Sequence, residues 1–328
     1  MEKLFYVFAA MAALMTSCSK DDAPINVPFG DEKIVSFEVS SPELATRYGE
    51  GNEATIVEYW VYEVPASTGL IVAAPKLVPN LYGSEILQGK KATVNIKLIQ
   101  GRKYNVLFWA HAPGVSDTED SSSGIGASTA VYHVNPATAT MEVDYTNMKA
   151  NQESYDAFYN YYEVGEVTSS TNGGTVYLKR PFAQVNVATS DTEDALKADL
   201  DVQYTGITAY NIFTKLDFKN GSASNAKDIT FDVTAKATGV FTHKNVEYDI
   251  ISMNYLLVNS VKEKALVDLT LQLQETTTAG AEVLTRDYAK VSVNRNHRTY
   301  ILGDIYTQPA KFNVVISEGF DDNHYDYE

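Results

Sequence analysis

Val267-Asp268-Leu269-Thr270-Leu271-Gln272-Leu273-Gln274 alternates apolar and polar side chains without interruption. Successive side chains of an extended strand point to opposite faces. Val267, Leu269, Leu271 and Leu273 therefore share one face, and Asp268, Thr270, Gln272 and Gln274 the other. The same period recurs along the chain. Val35, Phe37 and Val39 alternate within Ile34–Ser40. Ala92, Val94, Ile96 and Leu98 alternate with Thr93, Asn95 and Lys97. Ile56–Val64 sets Val57, Tyr59 and Val61 against Trp60, Tyr62 and Val64. Tyr104–His111 is apolar on both faces, as a central strand would be. Gln100-Gly101-Arg102, between these last strands and Ala92–Leu98, is expected to be a hairpin connection. Further strands are expected at Met141–Tyr145, Thr175–Arg180, Phe182–Thr189, Asp228–Thr234, Tyr248–Val258, Val291–Val293, Thr299–Tyr306 and Phe312–Ser317. A single short helix is expected over Asp191–Leu200, whose acidic start suits a positive helix terminus.

The alternation fails over Met148–Tyr162, and Ser169–Gly174 (SSTNGG) has loop composition. A chain of 328 residues is long for one sandwich and suits two domains. The expected fold is all-β: two tandem antiparallel β-sandwiches with one short helix in the second. The first spans residues 48–165, with its first strand contributed by 32–41, and the second spans 173–328. The 22 tyrosines suit strands. With one cysteine there is no internal disulfide, so packed cores carry the stability. A formal net charge of −16 repels phosphate backbones and argues against a nucleic-acid partner.

The cysteine sits near the N-terminus. Lys3 precedes an apolar run, Leu4–Leu14, that falls short of the roughly 20 residues of a membrane span. Residues 1–17 read as a secretory signal peptide. Thr16 and Ser17 then precede Cys18, which resembles the lipobox at which bacterial lipoproteins are acylated and cut. Several acyl chains together give a stable anchor. Lys20-Asp21-Asp22 follows and resembles the export signal of surface lipoproteins in the Bacteroidales. These features imply an outer-membrane lipoprotein facing outward, with residues 18–47 as its lipidated N-terminal segment.

Motifs for chemistry do not emerge. His111, His133, His243, His297 and His324 include no pair with zinc-helix spacing, and Cys18 is remote from them all. Nucleophile-elbow, phosphate-loop and dinucleotide signatures are missing. Asp117-Thr118-Glu119-Asp120 lacks the spacing and glycine of a calcium loop. Trp109 offers an aromatic face for a sugar, but its place in an apolar strand assigns it to the core. No catalytic residue, metal or cofactor is expected.

Three segments resemble the fimbrillin superfamily of the Bacteroidales, the type V pilins and their accessory subunits. They are Ala45–Gly51 (ATRYGEG), Leu178–Val187 (LKRPFAQVNV) and Val293–Thr307 (VNRNHRTYILGDIYT). The resemblance implies transthyretin-like sandwiches and a non-enzymatic structural or adhesive subunit. It also implies a mechanism. An arginine-specific protease cuts after an arginine in the first domain, here Arg47. The cut releases the anchor with the first strand, and a strand of another pilin subunit fills the groove. Val35, Phe37 and Val39 are then the residues removed, and Phe312, Val314 and Ile316 belong to a strand able to replace them. Stalk, tip and anchor roles stay open, as does adhesion to a host or bacterial glycoprotein. The short acidic run after Ser317 departs from a long donor strand. The alternative is a surface glycan-binding lipoprotein of a polysaccharide-uptake system, for which exposed coplanar aromatics would be the mark.

Overall fold

The computed structural model describes residues 30–41, 54–66, 74–118, 129–259, 265–278, 282–308 and 312–316. The first half of the chain supplies β1 (Glu32–Ser40), β2 (Ile56–Val64), β3 (Lys76–Ile86), β4 (Lys91–Ile99), β5 (Lys103–His111), β6 (Ser116–Thr118), β7 (Tyr132–Asn135), β8 (Thr140–Val143), β9 (Phe158–Glu166) and β10 (Gly174–Tyr177). The second supplies β11 (Phe182–Thr189), the helix α1 (Thr192–Lys197), β12 (Tyr204–Asp217), β13 (Ala223–Ala235), β14 (Val240–His243), β15 (Val246–Leu257), β16 (Ala265–Gln274), β17 (Leu284–Val293), β18 (Arg298–Gly303) and β19 (Phe312–Ile316).

These strands form four sheets. Sheet A has the order β10-β1-β4 and sheet B the order β3-β2-β5-β9. Sheet C runs β17-β16-β12-β8-β7-β6, with β13 on the other side of β12, and sheet D runs β14-β15-β11-β18-β19. Among the described residues the fold is all-β apart from the short helix and one 3-10 turn at Glu153–Tyr155. Most pairings are antiparallel, as expected, but β1 with β10, β6 with β7 and β11 with β18 are parallel.

Sheets A and B enclose one core. Val35, Phe37 and Val39 of β1 and Ala92, Val94, Ile96 and Leu98 of β4 face Val57, Val61, Val106, Phe108 and Ala110 of sheet B. Sheets C and D enclose a larger core, in which Val267, Leu269, Leu271 and Leu273 take part as their alternation requires. That larger core also takes Trp60, Tyr62, Leu107, Trp109 and Tyr159 from the far face of sheet B. β5 is thus buried on both faces, which is why Tyr104–His111 reads as apolar on both faces.

Pairing departs from the sequence expectation in two ways. Gln100-Gly101-Arg102 does not close a hairpin. β4 lies in sheet A and β5 in sheet B, and the turn carries the chain across the core between them. A strand apolar on both faces belongs in the doubly buried layer, and one with a single apolar face belongs outside. Gly101, at φ 82°, makes the tight passage without a Cβ penalty. Nor does pairing divide at 165–173. β8 pairs with β12, so β6, β7 and β8 complete sheet C of the second sandwich, while β10 pairs with β1 in the first.

The large core is rich in tyrosine, and burial raises the pKa values of Tyr62, Tyr132, Tyr145 and Tyr255 above the ordinary value. A phenol whose folded pKa is raised keeps its proton while the unfolded chain begins to ionise near pH 10. Its stabilisation is complete below that pH and falls as pH rises beyond it. A tyrosinate absorbance titration is expected in two stages, with exposed phenols titrating first and the buried set ionising only with unfolding. A single smooth titration with the fold intact would contradict this burial.

Candidate functional site

β1 is the central strand of sheet A. It pairs with β4 over its whole length, from Glu32 opposite Ile99 to Ser40 opposite Lys91, and in parallel with β10 from Phe37 opposite Gly174 to Ser40 opposite Tyr177. Val35, Phe37 and Val39 are each at 0% exposure, as the alternation anticipates. The ring of Phe37 meets Phe108 edge-on at 5.6 Å and Tyr162 at 5.9 Å. Gly173 closes the seat: a Cβ there would stand 2.6 Å from the Ser36 carbonyl oxygen and collide with the Phe37 ring. The outward face is polar, with ion pairs from Lys91 to Glu38 at 3.3 Å and Lys97 to Glu32 at 3.9 Å. Such exposed pairs add little, so β1 is held by its apolar face and its two ladders.

β19 is the edge of sheet D and pairs with β18 alone. Phe312 meets Tyr288 edge-on at 5.0 Å, Val314 is 37% exposed, and Val315 rests on the small cluster around Tyr300 and Leu302. Cys18, Lys20, Asp21, Asp22 and Arg47 lie outside the described residues, as do His324 and Glu119-Asp120.

His111 and His133 serve structure. His111 Nδ1 is 2.8 Å from the Ala112 carbonyl and its Nε2 3.3 Å from Glu58, and His133 Nδ1 is 2.7 Å from Asp117. Among the described residues no three His, Cys, Asp or Glu side chains are grouped to hold a metal ion, and no helix is long and apolar enough to cross a membrane. Trp109 is fully buried, with its Nε1 donating to Ser116 at 3.0 Å. The most exposed aromatic residues among those described, Tyr82, Tyr177 and Tyr210, stand in sheets B, A and C and share no platform.

Sequence reasoning missed a polar junction between the two sandwiches. Arg180 donates from Nε and Nη2 to the two carboxylate oxygens of Asp156 at 2.6 and 2.7 Å, and from Nη1 to Asn296 Oδ1 at 2.7 Å. Arg295 donates to the carbonyls of Val258 at 2.6 Å and Gly221 at 2.8 Å, and is hydrogen bonded to Tyr159. Burial lowers the pKa of Arg295; burial, and then Arg295 itself, lowers that of Lys179. Asp191 ties another turn. It accepts from the backbone and hydroxyl of Thr307 at 2.6 and 2.8 Å, rather than capping α1 with its side chain. Arg180, Arg295 and Asn296 fall in two of the segments that resemble fimbrillins.

Residues 60–328 match the model of a family of unknown function, DUF6562. The chain belongs to that family. The DUF6562 match begins at Trp60, downstream of β1, and takes in the whole junction. No curated protein matches the chain. Similar solved structures include a candidate adhesin from Bacteroides thetaiotaomicron, at 10% identity and TM-score 0.47, covering 86% of this chain and 95% of that one. A fimbrial assembly protein from Parabacteroides distasonis matches at 13% and 0.42, over 88% and 97%. The fimbrial anchor protein Mfa2 from Porphyromonas gingivalis matches at 11% and 0.40, over 87% and 97%.

Proposed function

We propose that the protein is a non-enzymatic surface lipoprotein of fimbrillin type, a structural or adhesive subunit of a fimbria that assembles by strand addition after cleavage at Arg47. The observation that supports this most is the place of β1. It fills the middle of sheet A, yet Arg47 lies between it and β2, so a cut there would leave β1 held by non-covalent contacts alone. Its loss would leave β4 and β10 as facing edges, about two strand spacings (roughly 10 Å) apart. Both edges would offer unpaired backbone donors and acceptors, with pockets shaped for Val35, Phe37 and Val39 between them. Burying each such side chain is worth roughly 1.5–3 kcal/mol, a strong pull on an alternating strand from another subunit. The exposed edge strand β19, with Phe312, Val314 and Ile316 on one face, is the segment of this chain suited to that part.

The test is mass spectrometry of the native surface protein together with digestion of soluble protein that begins at Asp22. An arginine-specific protease is expected to cut after Arg47 and to start slow growth into multimers, and Arg47→Ala is expected to block both. Cleavage without multimers at any concentration would overturn self-assembly by strand addition. The anchor is tested separately. Cys18→Ala is expected to remove the protein from the membrane fraction and to abolish labelling by a fatty acid. Replacing Lys20, Asp21 and Asp22 by alanine is expected to reduce digestion by protease added to whole cells. Unchanged digestion would make that run a linker only.

A further inference from the structure

The two sandwiches meet through more than a connector. Trp109 packs on Tyr132 at 5.4 Å and on Phe218 at 5.6 Å, and Phe218 packs on Tyr159 at 5.3 Å. Sheet B thereby contributes to the same apolar core as sheets C and D. Tyr62 donates its hydroxyl to the Pro136 carbonyl at 2.7 Å, fixing β2 to the turn between β7 and β8. Domains joined by polar contacts move relative to each other by default; a large apolar interface removes that freedom.

The polar junction closes the same seam. Asp156 leads into β9 of sheet B, Arg180 lies on the connector between β10 and β11, and Asn296 lies in the turn between β17 and β18. One buried guanidinium therefore holds three stretches of chain, with Phe158 4.7 Å beneath it. Arg295, next to Asn296, reaches Tyr159 on β9 and the carbonyls that end the β12–β13 turn and β15. A fork that binds a carboxylate through two parallel bonds fixes orientation as well as distance.

We propose that this junction is a conformational lock: Arg180, with Asp156 and Asn296, makes the two sandwiches one cooperative unit with no internal hinge. The lock requires only the intact chain and stands apart from the reading of β1.

Both tryptophans, Trp60 and Trp109, sit on the face of sheet B that meets the shared core, so their fluorescence reports the junction side of the first sandwich. Hydrogen exchange of β11 and β16 amides reports the second. In the intact chain under increasing denaturant, both probes are expected to give one midpoint. In Arg180→Met the fluorescence midpoint is expected to move to lower denaturant than that of β11 and β16. Asn296→Ala keeps the ion pair, is expected to separate the midpoints less but in the same direction, and decides the matter if Arg180→Met does not fold. Separate midpoints in the unaltered chain would overturn the lock. So would variants that shift both probes equally, since that is the mark of a contact that stabilises without coupling.

Discussion

Phe37→Ala is expected to lower the unfolding free energy of the uncut chain by about 3–5 kcal/mol, read from the denaturant midpoint of tryptophan fluorescence. The large value follows from how little the site can relax. Phe37 is fully buried, and its strand is hydrogen bonded on both sides, so the backbone cannot sink into the space the ring leaves. Phe108 and Tyr162 approach from sheet B and are themselves set by their own ladders. A cavity therefore remains, with its cost added to the lost transfer free energy. Ile34→Ala on the same strand is the control. Ile34 is 58% exposed, and its truncation is expected to stay within about 0.5 kcal/mol. Equal small effects at both positions would mean that the apolar face does not hold β1.

Gly173→Ala tests the same seat from the other side. A new Cβ meets both the ring of Phe37 and the carbonyl oxygen of Ser36, and the second is backbone. Overpacking of this kind costs about 1–3 kcal/mol. Combining it with Phe37→Ala is expected to relieve only part of that cost, because truncating the ring leaves the Ser36 carbonyl where it was. Full relief would place the whole clash on the ring.

How much of this was legible in the sequence depends on whether a strand's two faces differ. β1, β4 and β16 each face a core on one side and water on the other, and their alternation showed which side chains point inward. β9 did not show itself, because Phe158 and Tyr162 face one core while Tyr159 and Tyr161 lie on the side of the other. An aromatic run on both faces has no period. β12, the longest strand, was hidden by a slip of phase. Thr205, Ile207 and Ala209 point inward, a bulge with Asn211 at φ 61° follows, and the inward set becomes Ile212, Thr214 and Leu216. Partner choice was least legible of all. Nothing in the four residues of β8 says that they pair with β12 across more than 70 residues of chain. The junction carried a partial signal. Arg180, Arg295 and Asn296 stood in segments that drew notice by resemblance, whereas Asp156 lies in a stretch without pattern. A buried carboxylate is recognised by its partner, and the partner is distant in sequence.

That pair carries the second large effect. Arg180→Met is expected to cost about 3–5 kcal/mol, because it strands the Asp156 carboxylate, itself fully buried, without its counter-ion. Replacing both charges together, as Asp156→Leu with Arg180→Met, is expected to cost far less than the sum of the two single changes, since no buried charge is then left unpaired. Arg180→Lys is expected to behave as a damaging change despite keeping the charge. A single ammonium cannot span two carboxylate oxygens and Asn296 Oδ1 in the plane that the guanidinium fork fills. A double-mutant cycle by denaturant unfolding separates these effects. Additive single and double changes would mean that the two side chains act independently. Strong non-additivity with a stable double variant would show that the cost of each single change lies in the buried charge it leaves unpaired.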